Sequence, residues 1–481
     1  MTSIAHYTPS PLQDYAGNPL TEALPPVLTE IDAARAIAYF PEEPGAERLL
    51  SKELRLHCID RIRQLVQPLP IHLELESALS SILRSGYVSR NPVHAATWRH
   101  LYTLSTNRRD LALFQSSAST FSLVGLSGIG KTTALNAALS LYPQKIIHSR
   151  YQGKEFLHTQ IVWLKIECPF DGSLSGLCHA FFKAIDKALD DPGRHSARFR
   201  RKTGILEMIQ GMEQLASTYF IGALVIDELQ HLNAAKTGGK DNMLNFFVNL
   251  INSIGIPVVF SGTNSMINLF ADILRNARRA CGQGMYDFRQ PSESDAAWNM
   301  LVNVIWEYQW VQKPAALTPE LRAVLYDLTQ GVTDFLAKLM ILGQRYAIQA
   351  EIETLNEQVF RHVADTKLKL LKPAIAALRS GDPAAMKKFE DLLPPDEQLE
   401  ALMKDDTSVS ISDLAALRLS RTGSAAAEAP PSLRPEKQIP NTVNQIAHMI
   451  SASGDPASAL AEQGWLAKDV FEFSDTYRMG S

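Results

Sequence analysis

The stretch that decides the fold is residues 125–132, which read GLSGIGKT. It matches the pattern G-x-x-x-x-G-K-[S/T] at every required position. A strand-like run, 120–124, precedes it, and a helix-like run, 133–141, follows it. Backbone N–H groups and a helix N-terminus therefore converge on one point, which predicts a phosphate-binding loop rather than a glycine-rich turn with an incidental lysine.

The loop supplies the predicted nucleotide-binding residues. Lys131 is expected to reach the β- and γ-phosphates, and the Thr132 hydroxyl is expected to bind Mg²⁺. The full set is Gly125, Ser127, Gly128, Ile129, Gly130, Lys131, Thr132 and Thr133.

A second run, 223–226, is apolar and ends in Asp227 and Glu228. A buried strand ends where its apolar run ends, so both carboxylates are expected at the carboxyl edge of a parallel sheet, where ligands bind in such folds. Asp227 suits the Mg²⁺ shell, and Glu228 suits activation of the attacking water. A solvated strand end is the alternative.

A third run, 256–260, leads to Thr263 and Asn264. If this strand lies between the two previous ones, Thr263 or Asn264 would face the γ-phosphate and help to hold the water. The alternative is that both residues cap the following helix, a common use of these residue types.

Three arginines, Arg275, Arg278 and Arg279, precede the fifth predicted strand. In ATPases whose active sites lie between subunits, an arginine from a neighbour stabilises charge on the transferred phosphoryl group. We assign this role to Arg278 or Arg279. The alternative is a solvated helix face.

The predicted fold is α/β, with a five-stranded parallel sheet. Five β-rich runs separated by helical stretches imply crossover connections and a sheet covered on both faces. The runs are 121–125, 160–166, 222–226, 256–260 and 285–288.

The flanking regions have different composition. Helical spacing characterises 293–310, 318–329, 333–350, 352–378 and 383–403, which predicts an α-helical lid. The expected domains are a Pro-rich extended arm (1–45), a helical N-terminal module (46–115), the α/β core (116–290), the lid (291–405) and a flexible, partner-binding tail (406–481).

Composition excludes several classes of protein. Of 481 residues, 46% are apolar and 20% charged, so a mostly disordered or fibrous protein is excluded. The formal charge of −4 excludes a histone-like polycation, so any nucleic-acid site must be local. Four cysteines without zinc spacing, and no membrane-spanning run, predict reduced thiols and a cytoplasmic location.

These motifs together resemble the AAA+ ATPases, and the runs at 224–232 and 257–266 resemble the TnsC/TniB-type transposition regulators, including those of CRISPR-associated transposons. The resemblance covers about residues 85–370. It implies an ATP- and Mg²⁺-dependent homo-oligomer, a ring or helical filament, on double-stranded DNA. It also implies partners: transposase subunits and a target-selector protein of the TniQ/TnsD type. The lid departs from the family pattern, because Gly331 is followed by Asp334 where many members have arginine, with Lys338 a turn later.

A basic cluster gives separate support for DNA contact, since lysine and arginine neutralise phosphates without reading bases. It consists of Arg194, Arg198, Arg200, Arg201 and Lys202, with His195 among them. A solvated basic loop is the alternative. A second strip in the helical module comprises Arg84, Arg90, Arg99, Arg108 and Arg109.

Two other functions fit the same residues. One is a signal-transducing or antiphage ATPase switch, and the other is a DNA-repair motor or clamp loader. In the tail, Val443, Ile446, Met449 and Ile450 share one helical face beyond the linker at 424–435, a pattern suited to docking on a partner.

Overall fold

A computed structural model describes residues 2–105, 116–199, 203–234, 247, 250–266, 283–382 and 385–386. Several predictions fall outside this part of the chain. They concern Arg108, Arg109, Arg200, Arg201, Lys202, Arg275, Arg278 and Arg279, and the tail 406–481.

The N-terminal segment is folded, contrary to the expected extended arm. It contains strand β1 (Thr2–Ile4) and helices α1 (Pro19–Glu22) and α2 (Glu30–Ile37). Asn18 caps α1 by accepting from the Leu20 N–H, and its side-chain amide donates to the Tyr87 carbonyl. Leu20 is fully buried. These elements are too short to give a hydrophobic period, so contacts with later residues determine their fold.

The helical module follows as α3 (Lys52–Cys58), α4 (Pro70–Val88) and α5 (Ala95–Ser105). In α4 the predicted apolar face is confirmed, because Leu75, Leu79, Ile82 and Leu83 are all fully buried. This face packs with helix α6 against one side of the central sheet. The module therefore shares its core with the nucleotide-binding region.

The central sheet has five parallel strands in the order β5-β6-β7-β2-β8. This confirms the predicted sheet. The position of β7 between β6 and β2 is the arrangement that the strand-end argument requires. The strands are β2 (Thr120–Gly125), β5 (Trp163–Glu167), β6 (Ala223–Asp227), β7 (Val258–Gly262) and β8 (Met285–Phe288).

Helices cover both faces of this sheet, as parallel strands require. Helix α6 lies with α4 on one face, and α7 and α8 cover the other. The bounds are α6 (Lys131–Ser140), α7 (Leu174–Leu189) and α8 (Ile205–Thr218).

A second sheet, which the sequence did not predict, has the order β1-β3-β4. β3 (Lys145–Tyr151) and β4 (Lys154–Ile161) form a hairpin whose turn residues Gln152 and Gly153 both have positive φ. The predicted strand over 160–166 is therefore wrong in its first part. Its apolar run continues across the end of β4 and the start of β5, so hydrophobicity alone could not separate them.

The lid is helical, as predicted. Its helices are α9 (Ala296–Glu307), α10 (Pro319–Thr329), α11 (Thr333–Gln349), α12 (Glu357–Thr366) and α13 (Lys372–Ser380). The predicted helix over 352–378 is two helices, because α12 ends at Thr366 and a 3-10 turn precedes α13.

The lid is joined to the N-terminal module by a buried ion pair. The Arg55 guanidinium donates to both carboxylate oxygens of Glu353, each at 2.7 Å, and to the Trp310 carbonyl at 3.0 Å. The Arg55 side chain is 3% exposed and that of Glu353 is 15% exposed. This pair fixes α3 against the lid.

Candidate nucleotide-binding site

The phosphate loop connects β2 to α6. Gly128 has φ 75° and Gly130 has φ 105°, the left-handed region that side chains rarely adopt. Gly130 is also the N-cap of α6, so the loop's N–H groups and the helix N-terminus face one anion-binding point. Both glycines are required by this local conformation.

Gly125 has a different role from its neighbours. A Cβ on Gly125 would lie 2.5 Å from the Phe288 carbonyl oxygen, so this glycine allows β2 to pass close to β8. Residues 127–133 line the cavity described below, whereas Gly125 is outside its lining. Gly125 therefore has a packing role in the sheet, and its predicted nucleotide contact stays a prediction.

Lys131 is buried at the base of the loop. Its Nζ donates to the carbonyls of Gly125, at 2.9 Å, and Leu126, at 2.8 Å. The loop therefore holds the ammonium group beside the residues that would receive the phosphates. A cation held in this way can neutralise a phosphate with little loss of side-chain entropy.

Asp227 and Thr132 meet, as predicted, although 95 positions separate them. Thr132 Oγ1 donates to Asp227 Oδ2 at 3.1 Å. A hydroxyl and a carboxylate are hard oxygen ligands of the kind Mg²⁺ prefers, so this donor pair fits the ion. Among the described residues, no group of three or more His, Cys, Asp or Glu side chains could hold a metal.

Lys165 also contacts Asp227, and sequence analysis missed it. Its Nζ lies 2.9 Å from Asp227 Oδ2 and donates to Asn136 Oδ1 at 3.0 Å. The signal in the sequence was a lysine between the buried Leu164 and Ile166 of β5, which pairs with β6. Lys165 neutralises Asp227 from the neighbouring strand.

The two adjacent carboxyl groups have opposite pKa shifts. Burial raises the pKa of Glu228, and the neighbouring Asp227 charge raises it further. Burial also acts to raise the pKa of Asp227, but the charge and hydrogen bond of Lys165 and the Glu228 N–H outweigh it, so the pKa is lowered. Glu228 therefore has the higher pKa of the two carboxyl groups and is the better proton acceptor.

The Glu228 backbone is in the left-handed region, with φ 56°, and its N–H donates to Asp227 Oδ1 at 3.1 Å. The Glu228 carboxylate accepts a hydrogen bond from Gln230 Nε2. Gln230 Oε1 accepts from the Thr263 N–H at 3.2 Å. Gln230 is a further residue that motif analysis missed.

Thr263 follows β7 and lines the same cavity as Glu228, as predicted. Its hydroxyl lies 2.9 Å from the Ser265 hydroxyl. Asn264 is half-buried beside it and is outside the cavity lining. The structure thus brings Thr263, but not Asn264, to the site.

The loop residues 127–133, Glu228, Gln230 and Thr263 line one cavity of about 800 Å³. The N-terminal module and the lid contribute both apolar and polar side chains to the same lining. A cavity with apolar surface beside a phosphate loop fits a nucleotide. The apolar lining includes Leu65, Val66, Ile71, Trp298, Leu301 and Ile341. The sequence did not indicate this apolar lining, because its residues come from separate helical segments.

The first turn of α11 closes over the phosphate loop. The Thr333 hydroxyl and the Asp334 N–H both donate to the Gly128 carbonyl, at 2.9 and 3.0 Å. Lys338 Nζ lies 2.6 Å from Asp334 Oδ2, and the Lys338 side chain is 3% exposed. The lid therefore places a carboxylate and a buried ammonium group in the lining of the cavity.

The predicted DNA-contact residues that the structure describes are Arg194 and Arg198. Arg194 is exposed and lies 3.5 Å from Asp191. The Arg198 guanidinium lies over the Phe199 ring, 5.5 Å from its centroid.

In the second basic strip, Arg84 and Arg90 are both buried and do not form an exposed basic surface. Arg84 donates to Ser80 Oγ at 2.7 Å and to the Pro25 carbonyl. Arg90 donates to the carbonyls of Gly86, at 2.9 Å, and Ile221, at 2.7 Å. Charge in the sequence could not reveal that these guanidinium groups satisfy backbone carbonyls inside the fold.

Comparison with known families identifies the central region. The family model described as "AAA domain" matches residues 115–270. No protein with a curated description matches the sequence significantly. No helix in the described ranges is long and apolar enough to cross a membrane.

Solved structures that are similar to this chain have low sequence identity to it. The Walker-type ATPase of Pyrococcus abyssi is 14% identical, with 64% of this chain and 87% of that chain covered and a TM-score of 0.34. Cdc6p from Pyrobaculum aerophilum is 14% identical, with 65% and 85% covered and a TM-score of 0.35. Drosophila ORC bound to DNA is 12% identical, with 77% and 93% covered and a TM-score of 0.33. TM-scores in this range transfer no functional property.

The family match and the observed topology agree. The match includes the phosphate loop, the Asp227–Glu228 strand end and β7. The order β5-β6-β7-β2-β8 and the helical lid complete an AAA+ P-loop fold. Residues 115–270 thus match the AAA-domain family model within a chain that has an AAA+ P-loop fold.

Proposed function

We propose that this protein is a Mg²⁺-dependent regulatory ATPase that assembles on double-stranded DNA with ATP and connects a target-site selector to a transposase. The observation that carries the ATPase chemistry is the pair Asp227 and Glu228. The Asp227 carboxyl group has a lowered pKa and contacts the Thr132 hydroxyl, whereas Glu228 has a raised pKa and lines the nucleotide cavity together with Thr132. This difference separates the metal ligand from the general base.

In the proposed reaction, each residue of the site has a separate role. Lys131 neutralises phosphate charge, and Thr132 with Asp227 holds Mg²⁺, which when bound offsets the charge of the phosphates. Glu228 accepts a proton from the attacking water. Thr263 lines the cavity, and in this proposal its hydroxyl orients that water.

We assign Arg278 or Arg279 to the active site of a neighbouring subunit. Either Arg278→Ala or Arg279→Ala should lower turnover while ATP binding by a single subunit survives. Mixing this variant with Lys131→Ala should recover some activity, because each subunit supplies what the other lacks. No recovery at any ratio, in proven mixed assemblies, would argue against the assignment.

The transposition role is supported by the sequence resemblance at 224–232 and 257–266. The proposed DNA-contact region includes the exposed Arg194 and Arg198, which precede the basic residues 200–202 in the sequence. Binding through phosphates should depend strongly on salt and little on base sequence. The tail is proposed to reach the transposase beyond the linker at 424–435.

Nucleotide binding and turnover test the ATPase proposal directly. Glu228→Gln should bind a fluorescent ATP analogue normally and lose turnover, because its shape is kept while the proton-accepting charge is removed. Lys131→Ala should lose binding itself. Glu207→Gln, on the exposed face of α8, is the matched control and should leave both unchanged. Normal hydrolysis by Glu228→Gln would place the base elsewhere.

Assembly of the protein on DNA tests the proposed role in transposition. ATP-dependent assemblies on DNA, observed by electron microscopy, should be longer-lived with Glu228→Gln. Replacing Arg198, Arg200 and Arg201 together should flatten the dependence of DNA affinity on salt. Deleting the chain after residue 420 should spare ATPase activity and abolish retention of a transposase encoded beside this protein. If the truncated protein retains the transposase fully, the tail is not the transposase-binding segment.

A further inference from the structure

The side chain of Gln230 bridges the end of β6 to the end of β7. Its Nε2 donates to Glu228 Oε2, and its Oε1 accepts from the Thr263 N–H at 3.2 Å. The Thr263 backbone N–H is an obligate donor, so the amide oxygen must face it and the amide NH₂ must face the carboxylate. The orientation of the Gln230 amide is thus fixed by its two partners.

The local backbone is arranged to admit this bridge. A Cβ on Gly262 would lie 2.7 Å from Gln230 Oε1, so any larger residue there would displace the amide. Thr263, Glu228 and Gln230 all line the nucleotide cavity. Gly262 therefore makes room for the bridge at the cavity wall.

The Glu228 carboxylate needs such a support. Its backbone is in the left-handed conformation, which directs the side chain away from the path of β6. A glutamate side chain has three rotatable bonds, and only a fixed carboxylate can accept a proton from water efficiently. The hydrogen bond from Gln230 to Oε2 restricts the orientation of this carboxylate.

We propose that Gln230 is the positioning residue of the general base: it fixes the Glu228 carboxylate relative to the end of β7, where Thr263 lies. This inference rests on the proposed ATPase function. A displacement of the β7 end moves the Thr263 N–H and, through Gln230, the carboxylate. Proton acceptance is thereby linked to the position of β7 in the cavity.

The experiment measures ATP affinity and kcat separately. Gln230→Met keeps the length of the side chain and removes both hydrogen bonds. We expect its affinity for a non-hydrolysable ATP analogue to stay within about threefold of wild type, while kcat falls at least tenfold. Gln214→Met, at an exposed position of α8, is the control and should change neither quantity. Unchanged kcat in Gln230→Met would overturn the proposal.

Two further variants keep the test decisive. Gln230→Asn retains the amide but is one methylene shorter, so it should also lose kcat with little loss of affinity even if the methionine variant folds poorly. In a Glu228→Gln background, Gln230→Met should cause no further loss, because the group it positions has been removed. An additive loss would assign Gln230 a role independent of Glu228.

The outcomes separate this inference from the proposed function. If wild-type protein hydrolyses no ATP, or Glu228→Gln hydrolyses it normally, the proposed function fails. If wild type is active, Glu228→Gln is inactive and Gln230→Met is unaffected, only the positioning role fails.

Discussion

Lys165 Nζ lies 2.9 Å from Asp227 Oδ2, so a lysine on β5 neutralises the carboxylate that suits Mg²⁺ on β6. Asn136 on α6 accepts a hydrogen bond from the same ammonium group. The carboxylate is 4% exposed and would otherwise be an isolated buried charge. The fold therefore carries its own counterion for this site.

Replacing this counterion should destabilise the fold. We expect Lys165→Met to lower the free energy of unfolding at pH 7 by about 1–3 kcal/mol, because the buried Asp227 loses its partner. Urea denaturation without Mg²⁺ measures this change. Lys183→Met, at an exposed position of α7, is the control and should stay within about 0.5 kcal/mol of wild type.

The same pair gives a pH dependence of stability. The folded-state pKa of Asp227 lies below its usual value, so its contribution is present above the unfolded-state pKa and is lost as the pH falls through the folded-state pKa. Wild type should therefore lose more stability than Lys165→Met on going from pH 7 into the acid range. Glu228, whose pKa is raised, acts in the opposite direction in both proteins. Parallel losses in wild type and variant would contradict the assignment.

Arg90 and Arg194 should respond in opposite ways to substitution. Burial lowers the pKa of Arg90 to about 10, and its guanidinium satisfies two backbone carbonyls. Arg90→Leu should cost about 2–4 kcal/mol of stability, because these carbonyls lose their donors. The exposed Arg194→Leu should leave stability within about 0.5 kcal/mol and weaken DNA binding at low salt. Thermal unfolding measures the stability of both variants, and DNA titration measures their affinity for DNA. An Arg90→Leu protein as stable as wild type would contradict the structural role of Arg90.

The lid pair should tune nucleotide affinity. Asp334→Asn removes an anion beside the phosphate loop and should raise ATP affinity several-fold. Lys338→Met removes the buried ammonium and leaves Asp334 without that cation, so affinity should fall about tenfold or more. Fluorescent nucleotide titration measures both. Arg361→Met, in an exposed lid ion pair with Glu357, is the control; equal effects of all three variants would show that the lid acts only through its overall stability.

Local patterns predicted the central sheet well. The three central strands, β6, β7 and β2, are buried along their whole length, and Asp227 lies where the apolar run of β6 ends, at the edge of the sheet that the phosphate loop also reaches. The expected role of Thr263 depended on β7 lying between β6 and β2, and the sheet has this order. Hydrophobic periodicity and motif spacing are local patterns of a few residues, so they predict strands and strand ends from the sequence alone.

The remaining contacts depend on residues far apart in the sequence. Arg55 and Glu353 are 298 positions apart, and Gln230 and Thr263 are 33 apart. Neither pair belongs to a motif, and a lysine such as Lys165 has the same character in the sequence whether it faces solvent or a carboxylate. The N-terminal segment was misjudged for a similar reason, because Asn18 and Leu20 are ordered by Tyr87 and the core around it.

The Arg55–Glu353 ion pair couples helix α3 to the lid. Helix α3 is attached to the lid by a bidentate bond, while α4 of the same module shares its core with the central sheet. The two sides of the nucleotide cavity are therefore connected through the N-terminal module as well as through the chain at residue 290. A force applied at α3 by a bound partner would pull on the lid without touching the nucleotide, and nucleotide entry would in turn displace α3 at the outer surface.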